Sequence, residues 1–234
     1  MVDFAGSHVV VTGGTGALGR AVIGALRAAR AVCHVPNLVA AEVDHFPYAS
    51  DPGVHIARGV DLADEAAVRG FYQALPPLWA SIHLAGGFAM AGVTEIGKSD
   101  LMQQLDMNFV TAFLCCRAAV ASMRRAGNGG RIVNTAARPA LEWRTGAGMT
   151  AYTASKAAVA SFTVSLAEEV VKDGILVNAV APSILDTPAN RAAMPKADHA
   201  SWPKVAEVAE TILFLASPSN KVTRGAIVPV YGKM

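Results

Sequence analysis

Short β-branched runs alternate with stretches of helical apolar rhythm along the whole chain. HVVVT at 8–12 is a compact apolar run closed by glycines, and residues 17–30 then repeat apolar positions at helical spacing. AVCHV at 31–35 predicts a second strand ended by Pro36 and Asn37, and residues 38–52 read as irregular. GVHIARGVD holds a third strand that stops at Asp61, and 64–75 predicts a short helix cut off by Pro76 and Pro77. SIHLAGG at 81–87 predicts a fourth strand running into glycines. A long helix over roughly 99–126 follows, stopped at Gly127-Asn128-Gly129-Gly130. RIVNT at 131–135 predicts a fifth strand, 150–172 another long helix stopped by Asp173-Gly174, and ILVNAVAP a sixth strand. The Pro-rich piece 183–203 reads as a loop or lid, 204–216 as a helix and AIVPVY as a last strand.

The strands are apolar at successive positions, as in strands buried on both faces. Alternation with helices predicts an α/β fold, a parallel seven-stranded sheet with helices on both faces, doubly wound in the Rossmann manner. No repeat, linker or low-complexity segment interrupts it, so one domain over 1–234 is expected.

Composition narrows the function. Apolar residues make up 53% of the 234 positions and charged residues 16%, which favours a substantial core over disorder. A net charge of +2 with interspersed signs gives no footprint for nucleic acid or an anionic membrane. No apolar run approaches about 18 residues, so no membrane span is expected. MVDFAGSHVVVTGG has no basic n-region, so no signal peptide is expected. Cys33, Cys115 and Cys116 lack metal-ligand spacing and read as buried thiols of a reducing, cytoplasmic compartment. His8, His34, His45, His55, His83 and His199 form no HxxxH or His/Cys motif. Most read as surface or strand-end residues, and no metal site is expected.

The candidate chemistry begins at the first strand. Gly14, Gly16 and Gly19, within Gly13-Gly14-Thr15-Gly16-Ala17-Leu18-Gly19, have G-x-G-x-x-G spacing between a strand and a helix. Such a loop lets the backbone approach a pyrophosphate, which the helix N-terminus then attracts. An acid about 20 residues further on would bind the adenosine ribose of NAD. The second strand ends instead in Val35-Pro36-Asn37, with no acid and no base, which leans the cofactor to NADP over NAD. Asp61 is a candidate for the adenine amino group or for helix capping. Tyr152 and Lys156 stand four apart on a predicted helix, where Cβ atoms are roughly 5–6 Å apart. A cation there favours tyrosinate, but moving a phenol from about 10 to about 7 requires roughly 4 kcal/mol, which a lysine alone in a solvated site does not supply and a dry pocket with a cationic oxidised nicotinamide could.

TGGTGALG, LAGG after the fourth strand, Asn108 in DMNFVTAF, YTASK and APSILDTP occur in order over most of the chain. Together they resemble the short-chain dehydrogenase/reductase family. The resemblance implies that Tyr152 exchanges the proton, Lys156 lowers its pKa and holds the nicotinamide ribose, and Asn108 anchors a water in a proton relay. Ala85, Gly86 and Gly87 would line the cofactor. Pro182, Ile184 and Thr187 would meet its nicotinamide end, with Thr187 on the carboxamide. The family's two long helices often pair subunits, which implies a homodimer or homotetramer.

Three positions depart from the family. Its catalytic serine falls at Ala137, the middle glycine of its fingerprint at Ala17, and its paired asparagines at His83-Leu84. An oxyanion donor of the serine's kind is worth about 3 kcal/mol. All three departures, and LDTPANRAAMPKADHASW at 185–202, resemble the dihydropteridine reductases. That branch implies a quinonoid dihydropterin, a conjugated substrate that needs little polarisation of a carbonyl. Ala137, Trp143, Met149 and Met194 are candidate substrate contacts. Trp202 is a further candidate at the pocket mouth, and Arg138 for an anionic group. Two other readings stay open. One is an ordinary ketone or alcohol enzyme using Thr135, Thr145 or Thr150 in place of serine. The other is a dinucleotide-binding regulator without catalysis.

Overall fold

The computed structural model describes residues 3–234. Strands β1 (His8–Thr12), β2 (Val32–Asn37), β3 (Val54–Arg58), β4 (Leu78–His83), β5 (Gly130–Thr135), β6 (Ile175–Pro182) and β7 (Ile227–Val230) form one seven-stranded sheet in the order β3-β2-β1-β4-β5-β6-β7. All its pairings are parallel. Adjacent side chains on each strand enter opposite cores. Val9 and Val11 pack under α1 (Ala17–Ala28) and α9 (Val205–Ala216). Val10 packs under α3 (Glu65–Gln73), α5 (Thr111–Ala126) and α7 (Thr150–Glu169). Burial on both faces explains why the strands read as unbroken apolar runs.

The elements differ from the sequence reading at several places. β2 continues through Pro36, which lies past the last β1–β2 pair, Val10 with His34, where a missing N–H costs the ladder nothing. The 38–52 stretch contains a short helix, α2 (Ala40–Asp44). β4 starts at Leu78, directly after the two prolines. The long helix runs from Lys98 to Ala126 as α4 (Lys98–Leu105), a π turn at Asp106–Val110, and α5. By length and mean hydropathy (1.3) this helix could cross a membrane, yet half of that window is buried in the fold.

His34 and His83 are buried; His83 closes β4, a strand-end place of the kind expected, whereas His34 lies inside β2. His83 belongs to a polar chain whose proton directions follow one from another. Asn134 Nδ2 donates to Thr163 Oγ1 (2.9 Å), whose hydroxyl donates to the Val159 carbonyl (2.8 Å). Asn134 Oδ1 therefore faces His83 Nδ1 (2.8 Å), which must carry the proton. His83 Nε2 accepts from Ser81 Oγ (2.8 Å), and Ser81 accepts from the Tyr72 hydroxyl (2.8 Å). This chain joins β4 to β5 and ends on the backbone of α7.

Burial pushes His83 down to about 4, and burial with the neighbouring His8 and His55 pushes His34 down to about 4 as well. The unfolded imidazole titrates near 6.5. Between those values the unfolded chain binds protons that the folded chain refuses, so stability falls as pH drops through that window. For His83 the loss from pH 7 to pH 5 is about 2 kcal/mol, at about 1.4 kcal/mol per pKa unit. Urea midpoints at the two pH values measure it. The loss should shrink in His83→Asn, and an equal loss in that variant would refute a buried neutral His83.

Candidate active site

β1 and β4 are neighbours in the sheet, yet the chain leaves them toward opposite edges, which opens a crevice at their carboxyl ends. The loops after both strands meet there. The Thr12 hydroxyl oxygen accepts from the Leu84 and Ala85 amides at 3.1 and 3.2 Å. Gly13 has φ +64°, and a Cβ on it would lie 2.8 Å from the Ala85 nitrogen. A Cβ on Gly19 would lie 2.2 Å from the Gly13 carbonyl oxygen, so α1 starts hard against the loop. Gly16 caps α1 without a side chain, and the first-turn N–H groups of Ala17, Leu18 and Gly19 have no helical acceptor. A bare backbone cradle ending in unspent N–H groups fits a dinucleotide pyrophosphate. The loop is braced by Arg20, whose Nε donates to the Thr15 carbonyl at 2.7 Å.

The sequence reading found no acid at the end of β2. Folding brings one there: α2 turns back so that Glu42 Oε2 accepts from the Thr15 hydroxyl (2.5 Å) and from Asn37 Nδ2 (3.2 Å). The available signal was a glutamate a little over 20 residues past the glycine loop, in a stretch read as irregular. Asp61 is exposed and accepts from the Ala63 amide (2.9 Å) within a turn, while Asp64 caps α3.

Around the second loop, Gly86 stands between two candidate side chains. A Cβ on it would come within 2.6 Å of Asn108 Oδ1 and 3.4 Å of Lys156 Nζ. Asn108 is buried in the π turn, where the widened helix aims it at Gly87. Its Oδ1 accepts from the Gly87 amide (3.1 Å), and its Nδ2 donates to the carbonyls of Gly87 and Gln104 (both 3.1 Å). Lys156 is buried, with Nζ donating to the Thr135 carbonyl at 2.9 Å. Burial pushes this lysine down to about 8 and the Tyr152 phenol up to about 12. The lowering expected from the sequence draws on a cationic nicotinamide as well as on the lysine. In the protein alone burial sets the direction for the phenol, and the Lys156 ammonium is turned to Thr135. Tyr152 meets Phe88 edge-on, with ring centroids 5.0 Å apart.

At the serine position Ala137 is buried. Thr135 Oγ1 is buried without a partner, and Thr145 Oγ1 donates to the Glu142 carbonyl (2.8 Å). Thr150 is exposed at the start of α7. Arg138 is paired with Glu142 (2.7 Å) and lies over the Tyr231 ring, which leaves it poorly placed to receive an anion. Trp143 is 75% exposed, and Trp202 is buried against His199. Met149 precedes α7 and is half-buried. Neighbouring Gly148 approaches Met90, so the exposed Phe88 and Met90 join this wall, a feature the sequence reading missed. The spacing of two apolar side chains directly after the glycines was the available signal.

Between the ends of the 183–203 segment, the Asp186 amide donates to the Pro203 carbonyl (3.0 Å). Pro182 is buried at the end of β6, and Ile184 is half-buried. Thr187 caps α8 (Pro188–Ala193) by accepting from the Asn190 amide (3.2 Å). Met194 follows α8 and is half-buried.

Residues 7–198 match the family model described as short chain dehydrogenase. The chain is 32% identical to a galactitol 2-dehydrogenase from Rhizobium johnstonii, over 96% of this chain and 93% of the relative. It is also 32% identical to carbonyl reductase family member 4 of Danio rerio, over 88% and 89% respectively. A solved short chain dehydrogenase/reductase family protein superposes with a TM-score of 0.89 at 26% identity, covering 98% of this chain and 97% of the other.

Replacing Gly86 by Ala tests the cluster. The methyl must drive Asn108 off Gly87, so a stability loss of about 1–3 kcal/mol is expected in urea, with weakened dinucleotide binding. Wild-type stability and binding together would show that the three groups are not packed as described.

Proposed function

This chain belongs to the short-chain dehydrogenase family and is an NAD(P)-dependent oxidoreductase, and on that premise we propose that it reduces a small conjugated acceptor. One observation carries the reading: Lys156 and Asn108 converge on Gly86, one helical turn from Tyr152, while a buried methyl occupies the place of a hydroxyl donor. Quinonoid dihydropterin is the substrate this combination suggests.

The dinucleotide, NADP or NAD, supplies the hydride. Burial keeps the proton on the Tyr152 phenol at neutral pH, so the side chain is loaded as a donor. Lys156 is cationic below about pH 8 and spends one of its three N–H donors on Thr135. The others remain for a ribose hydroxyl and for the phenolate left when Tyr152 gives up its proton. Asn108 acts as a positioning residue, since its amide is spent on Gly87 and Gln104. Phe88, Met90 and Met149 give an apolar wall suited to a flat ring. The 183–203 segment closes over the nicotinamide end as a lid on one dinucleotide-binding domain. The exposed apolar residues Leu101, Met102, Phe113 and Val164 on α4, α5 and α7 support association as a homodimer or homotetramer.

A second reading is an ordinary ketone or alcohol substrate, favoured by the names of the two relatives. It would have to work without a serine, with Thr145 Oγ1 spent on the Glu142 carbonyl, Thr135 Oγ1 buried without a partner and Thr150 exposed at the start of α7.

Tyr152→Phe should lower turnover by about 10²–10⁴-fold, the usual worth of a positioned general acid, while dinucleotide binding stays near wild type. Turnover close to wild type would rule out Tyr152 as the donor. Quinonoid dihydropterin should outperform simple ketones on the wild type. Ala137→Ser should raise ketone turnover at least ~10-fold by restoring an oxyanion donor. Faster ketone than pterin turnover by the wild type would reject the conjugated-acceptor reading.

A further inference from the structure

We propose that Glu42 makes this enzyme select the unphosphorylated dinucleotide, NAD(H), over NADP(H). The inference rests on the dinucleotide-binding reading of the glycine loop. With the pyrophosphate at the start of α1, the adenosine ribose must lie across the carboxyl end of the neighbouring strand, β2. Asn37 ends that strand, and Glu42 reaches over it from α2.

The hydrogen bonds fix what this corner offers. Thr15 and Asn37 both donate to Glu42 Oε2. The other amide atom, Asn37 Oδ1, is buried without a partner. Its orientation is set by chemistry, because a flipped amide would turn its oxygen on the carboxylate. Glu42 Oε1 makes no hydrogen bond among the described residues, and Glu42 forms no ion pair among them. The corner thus presents one unspent, exposed acceptor, Glu42 Oε1, over an Asn37 whose Oδ1 is sealed beneath it. A free ribose brings hydroxyl donors, which this carboxylate can accept. A 2′-phosphate brings acceptors only and about two negative charges, set against an unpaired carboxylate. Arg20, the cation of the glycine loop, has its Nε on the carbonyl of Thr15, the residue whose hydroxyl Glu42 holds. The lean to NADP drawn from the end of β2 alone is reversed once α2 is folded in.

Titration of the full chain with NADH and with NADPH, followed by fluorescence of the reduced nicotinamide, tests this without any substrate. NADH should bind at least ~10-fold more tightly than NADPH. Glu42→Gln removes the charge and should bring the two affinities within ~3-fold, chiefly by tightening NADPH. Because Glu42 is exposed, its variants should melt near the wild-type temperature. If Glu42→Gln fails to fold, Glu42→Ala gives the same comparison. Equal binding of the two dinucleotides by the wild type, or an unchanged preference in the folded variant, would overturn the inference and leave the dinucleotide site intact. Binding of neither would overturn the site reading itself, and this inference with it.

Discussion

The site depends on how closely two backbones approach at the centre of the sheet. The loop after β1 and the loop after β4 lie against each other with no side chain between them. Gly13 has no room for a Cβ, and the Thr12 hydroxyl ties down both amides that follow β4. That contact fixes the phosphate cradle relative to Gly86. Gly86 in turn sets the spacing of Asn108 and Lys156. An error of one ångström at Gly13 would pass through a few rigid peptide units to the proton donor's neighbourhood.

The parts legible in the sequence are those written locally. The apolar runs, the glycine loop and the Tyr152–Lys156 spacing each sit within a few residues, and their periodicity states the element they belong to. The parts that were not legible depend on distant pieces meeting. Glu42 belongs to a short helix with too few residues to show a period, and only the fold reveals that it returns to Thr15. The π turn at Asn108 leaves no mark in a pattern that fits an ordinary helix equally well. His83 looked like a strand-end polar residue because its partners, Ser81 and Asn134, come from its own strand and the next.

The tyrosine and lysine illustrate the limit of reading a pKa from spacing. Four residues apart on a helix they are neighbours, and the sequence argument has the lysine, a dry pocket and a cationic nicotinamide lower the tyrosine together. Burial acts on both at once and in opposite senses, pushing the phenol up to about 12 and the ammonium down to about 8. Both shifts favour the uncharged side chain. The resting site is thus closer to neutral than its residue types suggest, which makes it a good environment for charge that appears only during reaction.

The polar chain from Tyr72 to Val159 links each group to the next, with the Cys116 thiol beside it donating to Asn134 Oδ1. Such a chain is inherited as a block. A drift that replaces His83 alone leaves Ser81 with Tyr72 only, and Asn134 Oδ1 with the weak Cys116 donor only. Tolerated variants should therefore change two or three of these positions together, and the chain limits the mutational routes open to the sheet beneath the site.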